Sequence, residues 1–275
     1  MSEQEKKMTP KNEKKRRQFM KQMTGLGVLG IAAAGGIWGA KDFKGSQNRL
    51  RPPGAVEKDR FLSMCIKCGQ CLQVCPYDAI KLEDIDGEAG VGTAYIDPLE
   101  RGCYLCEAFP CVLACPTGAL DHEANVIEKV HMGMAIVVNE SACLALTSKK
   151  VTKEMIGHIY DHTQVISEEE RTARKVEIYD NDSEKTVLQK TVLQKLNAHE
   201  GKSCTLCADL CPFTPDASLA IGMISKDGGL FPEIREACVG CGACVELCPT
   251  KVLQVLPYAT YADVYQKNKG ASHVS

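Results

Sequence analysis

Short apolar bursts punctuate the chain, and each sits beside a cysteine-bearing loop. Ala79-Ile80-Lys81-Leu82, Gly118-Ala119-Leu120, Ser218-Leu219-Ala220-Ile221 and Lys251-Val252-Leu253-Gln254-Val255 follow such loops; Ala94-Tyr95-Ile96-Asp97, Ala135-Ile136-Val137-Val138 and Leu230-Phe231-Pro232-Glu233 precede them. Bursts of this length predict brief strands. The stretch 137–142 reads as one of these strands, leading into Cys143. Residues 144–203 break the pattern: they hold no cysteine after Cys143, are rich in charge, and repeat Lys-Thr-Val-Leu-Gln from Lys185 and again from Lys190. They predict an insertion that is folded as surface helices or is partly disordered, with partner docking as the alternative reading. The polar tail, residues 258–275, is expected to wind over the surface.

The loops carry the chemistry. The first run places Cys65, Cys68, Cys71 and Cys75 at spacings of two, two and three residues, closed by Pro76. This is the run by which bacterial ferredoxins hold a [4Fe–4S] cluster, the fourth cysteine serving a neighbouring cluster. Cys103, Cys106, Cys111 and Cys115 form a second run with a wider middle gap, and Cys238, Cys241, Cys244 and Cys248 repeat the first spacing. Between them Cys204, Cys207 and Cys211 lack a first member. Cys143 is the one cysteine left to supply it, since four clusters need sixteen thiolates and the chain has 16. Thiolate is a soft ligand suited to iron, and fully ligated clusters leave no open position for substrate.

Composition narrows the alternatives. Aromatic residues make up only 5% of the chain, so metal cross-links are expected to hold small units together. Disulfide frameworks give no reason for the repeated run, and zinc sites usually come as two widely separated C-x2-C pairs. No C-x-x-C-H occurs, so a covalently attached c-type haem is not supported. His122, His131, His158, His162, His199 and His273 show no metal spacing, and no Gly-rich phosphate loop is present. The formal net charge of −2 counts every thiol as neutral. Four oxidised centres would add about eight negative charges, which argues against a nucleic-acid partner.

Residues 1–40 read as an export signal: a basic region holding Arg16-Arg17-Gln18-Phe19-Met20-Lys21, which looks like a twin-arginine motif, then a Gly-rich apolar stretch over 23–40. That route suits a protein loaded with metal before it leaves the compartment of synthesis. The apolar stretch is at the same time a weak candidate membrane anchor. Residues 41–58 read as a linker stiffened by Pro52 and Pro53. The expectation is an α+β fold of tandem ferredoxin-like (2×[4Fe–4S]) units, with short β-hairpins and helices around four clusters. The first unit spans 59–142 and the second 143–257, with the insertion at 144–203.

Twin arginines, the Arg51-Pro52-Pro53-Gly54-Ala55 strap, the first and second runs, and a third run with a detached first cysteine together resemble the NapG/MauM ferredoxin-type family. The likeness runs from Arg16 to Pro257 and has one departure: the detached cysteine stands sixty-one positions before Cys204 rather than a few. The resemblance implies a periplasmic four-cluster electron carrier, not an enzyme by itself. It would work beside a membrane-integral quinol-oxidising protein of the NapH type and feed a periplasmic nitrate reductase or its cytochrome c; methylamine utilisation, another molybdenum reductase, or a reductase-assembly role are the alternatives. Crossing between neighbouring runs, as in two-cluster ferredoxins, would group Cys65, Cys68 and Cys71 with Cys115; Cys103, Cys106 and Cys111 with Cys75; Cys143, Cys204 and Cys207 with Cys248; and Cys238, Cys241 and Cys244 with Cys211. A nested grouping, first run with fourth and second with third, uses the same ligands and stays open at this point.

Overall fold

The brief strands pair as local hairpins, with one exception. In the computed structural model, which describes residues 48–84 and 90–266, β1 (Ile80–Leu82) runs antiparallel to β2 (Ala94–Ile96). The exception is β3 (Gly133–Val137), whose partner comes near the end of the described chain. β4 (Ile221–Lys226) and β5 (Gly229–Ile234) form a hairpin closed by Asp227 and Gly228, both at positive φ, as a two-residue Asp-Gly turn requires. β6 (Leu253–Pro257) is the partner of β3, pairing Gly133 with Pro257 and Val137 with Leu253. The strand that ends the predicted first unit is thus hydrogen-bonded to the strand that ends the second.

Eight α-helices occur among the described residues, most of them single turns. α1 (Lys58–Met64) leads into the first run and buries Phe61. Each run then ends in a short helix: α2 (Gln70–Gln73), α3 (Pro110–Leu113), α7 (Leu206–Asp209) and α8 (Ala243–Leu247). Gly69 and Gly242 stand at the N-caps of α2 and α8 with φ of 72° and 82°, a conformation that costs glycine least.

Three stretches depart from the sequence expectation. Residues 138–142 continue no strand; a 3₁₀ turn at Glu140–Ala142 delivers Cys143 instead. Ala217–Leu219 is likewise a 3₁₀ turn before β4. Leu120 makes only an isolated bridge to Ala55. The signal segment at 1–40 lies outside the described residues, and among those residues no helix is long and apolar enough to cross a membrane.

The latter part of the predicted linker is built into the fold. Leu50 and Arg51 are buried; Leu50 bridges Ile96, and Val56 N–H donates to Ala119 O at 3.1 Å. Arg51 Nη1 donates to Thr93 Oγ1 at 2.9 Å and to Ala94 O at 2.8 Å, with its guanidinium 5.0 Å from the Phe61 ring centre. Pro52 and Pro53 have no N–H to satisfy, so this strap is buried without orphaned donors there.

The insertion is the larger correction. It folds into α4 (Gly157–Asp161), α5 (Glu168–Ala173) and α6 (Glu184–Asn197), and α5 starts at a capping box made by Ser167 and Glu170. Ile156, Ile159, Tyr160, Leu193 and Leu196 are fully or almost fully buried, so α4 and α6 belong to the core that runs through the whole unit from Asn48 on, while α5 buries none of its own residues. The five-residue repeat hides this. At about 100° per residue, a step of five turns the helix by roughly 140°, so Gln189 and Leu193 are buried while Gln194 and Lys195 are exposed. Lys190 is buried and saturated, reaching Glu170 at 3.1 Å, Asp182 at 3.3 Å and Glu177 O at 2.8 Å. Burial pulls its pKa down, but the two carboxylates outweigh this and hold it above the ordinary lysine value. Lys190→Met leaves those carboxylates unpaired. It is expected to cost about 1–3 kcal/mol and to speed limited proteolysis between α4 and α6, scored by mass spectrometry of the fragments.

Candidate metal centres

Every cysteine run sends three thiols to one cavity and its last thiol to another. Cys65, Cys68 and Cys71 line the first cavity with Cys115. Cys103, Cys106 and Cys111 line the second with Cys75. Cys143, Cys204 and Cys207 line the third with Cys248, and Cys238, Cys241 and Cys244 line the fourth with Cys211. The geometry is that of crossing between neighbouring runs rather than of nested runs. Despite different loop spacings, each cavity is lined by four thiols.

Cys143 is brought to the third cavity although the whole insertion intervenes. It is buried as the C-cap of the 3₁₀ turn, and Lys150 and Ser203 form a bridge that closes the insertion at its base. The sixty-residue detour therefore returns to where it began. Exposure differs among the sites: Cys68 is exposed, whereas all four thiols of the third cavity are buried.

The donor chemistry tests what fits. All sixteen thiols are free of disulfides. Burial pushes Cys71, Cys106 and Cys204 up to about 11 and Cys103 and Cys244 well above the ordinary thiol range, and neighbouring cysteines add to the rise for each of them. Four thiolates can thus share such a cavity only if cations sit among them. Nor is the fit to a single ion. Among the described residues no three His, Cys, Asp or Glu side chains converge closely enough to hold one metal ion. A zinc ion bound at about 2.3 Å by each sulfur would demand that convergence; a polynuclear iron–sulfur core, with each thiolate on its own iron, does not.

Cys115 behaves differently from its neighbours. Burial is the largest single influence and raises it, but hydrogen bonds from Leu120 and Thr117 together hold it below the ordinary thiol value. Leu120 N–H donates to its Sγ at 3.4 Å, and Thr117 Oγ1 lies 3.8 Å away. Thr250 Oγ1 stands at the same distance from Cys248 Sγ. These are the crossing thiols of the first and third cavities, in the matching sequences Cys-Pro-Thr.

No His, Asp or Glu lines any of the four cavities. His122 bonds Cys115 O at 2.8 Å from outside, and His158 lies between Met155 O and Glu246 O. His199 contacts Asp209, and His162 stands 3.9 Å from Glu100.

The sequence did not single out the polar cluster where the second and fourth runs meet. Arg101 Nη1 donates to Glu246 Oε1 at 3.0 Å and to Thr163 Oγ1 at 3.1 Å, while Nη2 donates to Gln189 Oε1 at 3.2 Å. Gly102 N–H donates to Glu246 Oε2 at 2.6 Å, and Gln189 Nε2 to Pro76 O at 2.7 Å. Arg101 and Glu246 are both buried and each stands two residues from a cavity cysteine, the one local signal that could have drawn attention to them.

Mixed short strands and helices around cavities that are each lined by four cysteines and by no His, Asp or Glu define a [4Fe–4S] electron-transfer protein of the ferredoxin type. Known proteins agree: a 4Fe-4S dicluster domain matches residues 64–119 and a 4Fe-4S binding domain residues 232–254. The ferredoxin-type protein NapG of Escherichia coli K12 is 40% identical over 131 residues, 47% of this chain and 56% of that protein, so the match spans just over half of NapG. The methylamine utilization ferredoxin-type protein MauM is 28% identical in Methylorubrum extorquens over 78% of this chain and 75% of the relative. In Paracoccus denitrificans MauM is 29% identical over 84% and 83%. These relatives support the NapG/MauM ferredoxin-type family for this chain. No solved structure matches it.

Proposed function

We propose that the chain binds four [4Fe–4S] clusters, one per cavity, with all sixteen cysteines as iron ligands, and relays single electrons outside the cytoplasm. The observation that carries this reading is the set of four cavities, each lined by four thiols and by no His, Asp or Glu. The clusters supply one-electron chemistry; the chain supplies ligation, burial and the hydrogen bonds to Cys115 that favour its thiolate. Arg16-Arg17 ahead of an apolar stretch supports export to the periplasm by the twin-arginine route, with membrane association through that stretch or a partner. The likeness to NapG supports a quinol dehydrogenase module. On the family resemblance, the electron donor would be a membrane-integral quinol-oxidising protein of the NapH type, and the acceptor a periplasmic nitrate reductase or its cytochrome c.

One observation favours a second reading. The MauM relatives align over more of the chain than the NapG of Escherichia coli, 78% and 84% against 47%, which supports service to methylamine oxidation instead. Iron and sulfide analysis with redox-titrated EPR of the purified protein tests the shared part. About sixteen irons and four [4Fe–4S] centres are expected per chain; fewer than three centres would sink the relay. Deleting the gene and growing cells on nitrate or on methylamine separates the two acceptors.

A further inference from the structure

The four sites are strung in a different order in space than in sequence. Every residue lining the first cavity falls between Phe61 and Leu120, and every residue lining the third lies at Cys143 or beyond. Neither touches the other half of the chain. The second and fourth cavities do meet: Leu105, from the second run, lines the fourth cavity, and Cys103 forms a parallel bridge with Gly242. The contact is short. Cys103 N–H donates to Cys241 O at 2.9 Å, so a thiol of one cavity is joined to a thiol of the other by two backbones and one hydrogen bond.

Two features hold this junction. Gly102 packs so tightly that a Cβ there would lie 2.5 Å from Ala243 N. The buried Arg101–Glu246 pair clamps the same two segments from one side, and Gly102 N–H ties to the same carboxylate. Within each half, chain connectivity joins the cavities, since Cys71 and Cys75 lie four residues apart in different sites, as do Cys207 and Cys211.

We infer that electrons pass along a single line ordered first, second, fourth and third site, crossing between the halves through the Cys103–Cys241 hydrogen bond. The inference rests on the cluster reading above. One electron crosses per event, oxidising the centre behind it and reducing the centre ahead, with no bond made or broken along the line; each quinol of the proposed donor supplies two such electrons in succession and releases its two protons there, and the proposed acceptor is reduced at the far end. The third run, although it comes before the fourth in sequence, forms a terminus of the line, and the fourth run is interior.

Spin coupling between neighbouring reduced centres reads this order directly. Cys207→Ser, which removes the third site, is expected to lose about four irons and leave three centres whose EPR signals are all still broadened by a neighbour. Cys241→Ser, which removes the fourth, is expected to leave one coupled pair and one simple, uncoupled rhombic signal from the third site. The reverse pattern, with an isolated signal in Cys207→Ser and none in Cys241→Ser, overturns the order. Should either variant fail to fold, Cys204→Ser and Cys238→Ser remove the same sites from less central positions, and the third-site variant alone decides between the two patterns. Failure of the cluster reading shows separately, as wild-type iron well short of four centres.

Discussion

Cys143→Ser is expected to lower the iron bound per folded chain from about sixteen atoms to about twelve and to abolish one of four EPR-active centres. The thiol is buried in the third cavity with Cys204, Cys207 and Cys248, and no other cysteine is left to replace it. A serine hydroxyl is a harder, more basic donor than thiolate and a poor substitute on iron. Because the 3₁₀ turn and the Lys150–Ser203 bridge position residue 143 without help from its sulfur, the insertion is expected to stay folded. Unchanged iron in the variant would make Cys143 an ordinary buried thiol and leave the third site with three protein ligands.

Arg101→Leu carries the largest expected cost in stability. It leaves the Glu246 carboxylate fully buried with its main counter-charge gone. Breaking a buried pair from one side typically costs about 3–5 kcal/mol, which for a domain of this size is a fall of roughly 6–20 °C in thermal midpoint. The sign with pH follows from Glu246. Burial raises its pKa even with Arg101 present, against the pull of that charge. With the arginine gone, folding penalises the ionised carboxyl above the unfolded value of about 4.3, and the penalty grows until pH passes the raised folded value. The deficit of Arg101→Leu is therefore expected to be smaller at pH 5 than at pH 8. Pairing it with Glu246→Leu is expected to restore much of the loss, because an apolar pair removes the orphaned charge. Thermal melts of the loaded protein at the two pH values check all three outcomes; a deficit independent of pH would assign the loss to packing alone.

What was legible in the sequence was local. Ligand spacing such as Cys65-x2-Cys68-x2-Cys71-x3-Cys75 is set by the reach of one loop around one occupant, so it reads directly, and the strands beside it follow from short apolar bursts. The burial of the insertion was not legible, because its charges are satisfied by partners that sequence spacing does not reveal. Lys190 looks solvent-seeking until Glu170 and Asp182 are placed around it. Arg101 and Glu246 stand 145 residues apart, and no periodicity connects them. The strap was misread for a related reason: Pro52 and Pro53 announce stiffness, but only Ile96 and Leu120 across from Leu50 and Ala55 show that the stiff segment is covered.

The pairing of β3 with β6 has a bearing on synthesis. Gly133 finds its partner at Pro257, roughly 120 residues later, and the entropy of closing so long a loop grows only slowly with length. Stability is thus little affected, but order of events is. A ribosome-bound chain that stops short of Leu253 has no mate for β3, and until Cys248 has emerged the third cavity lacks its last thiol. Metal at that site consequently marks a chain translated at least as far as Cys248. Any downstream step that accepts only the fully loaded fold thereby rejects products that stop short of Cys248 without having to inspect their ends.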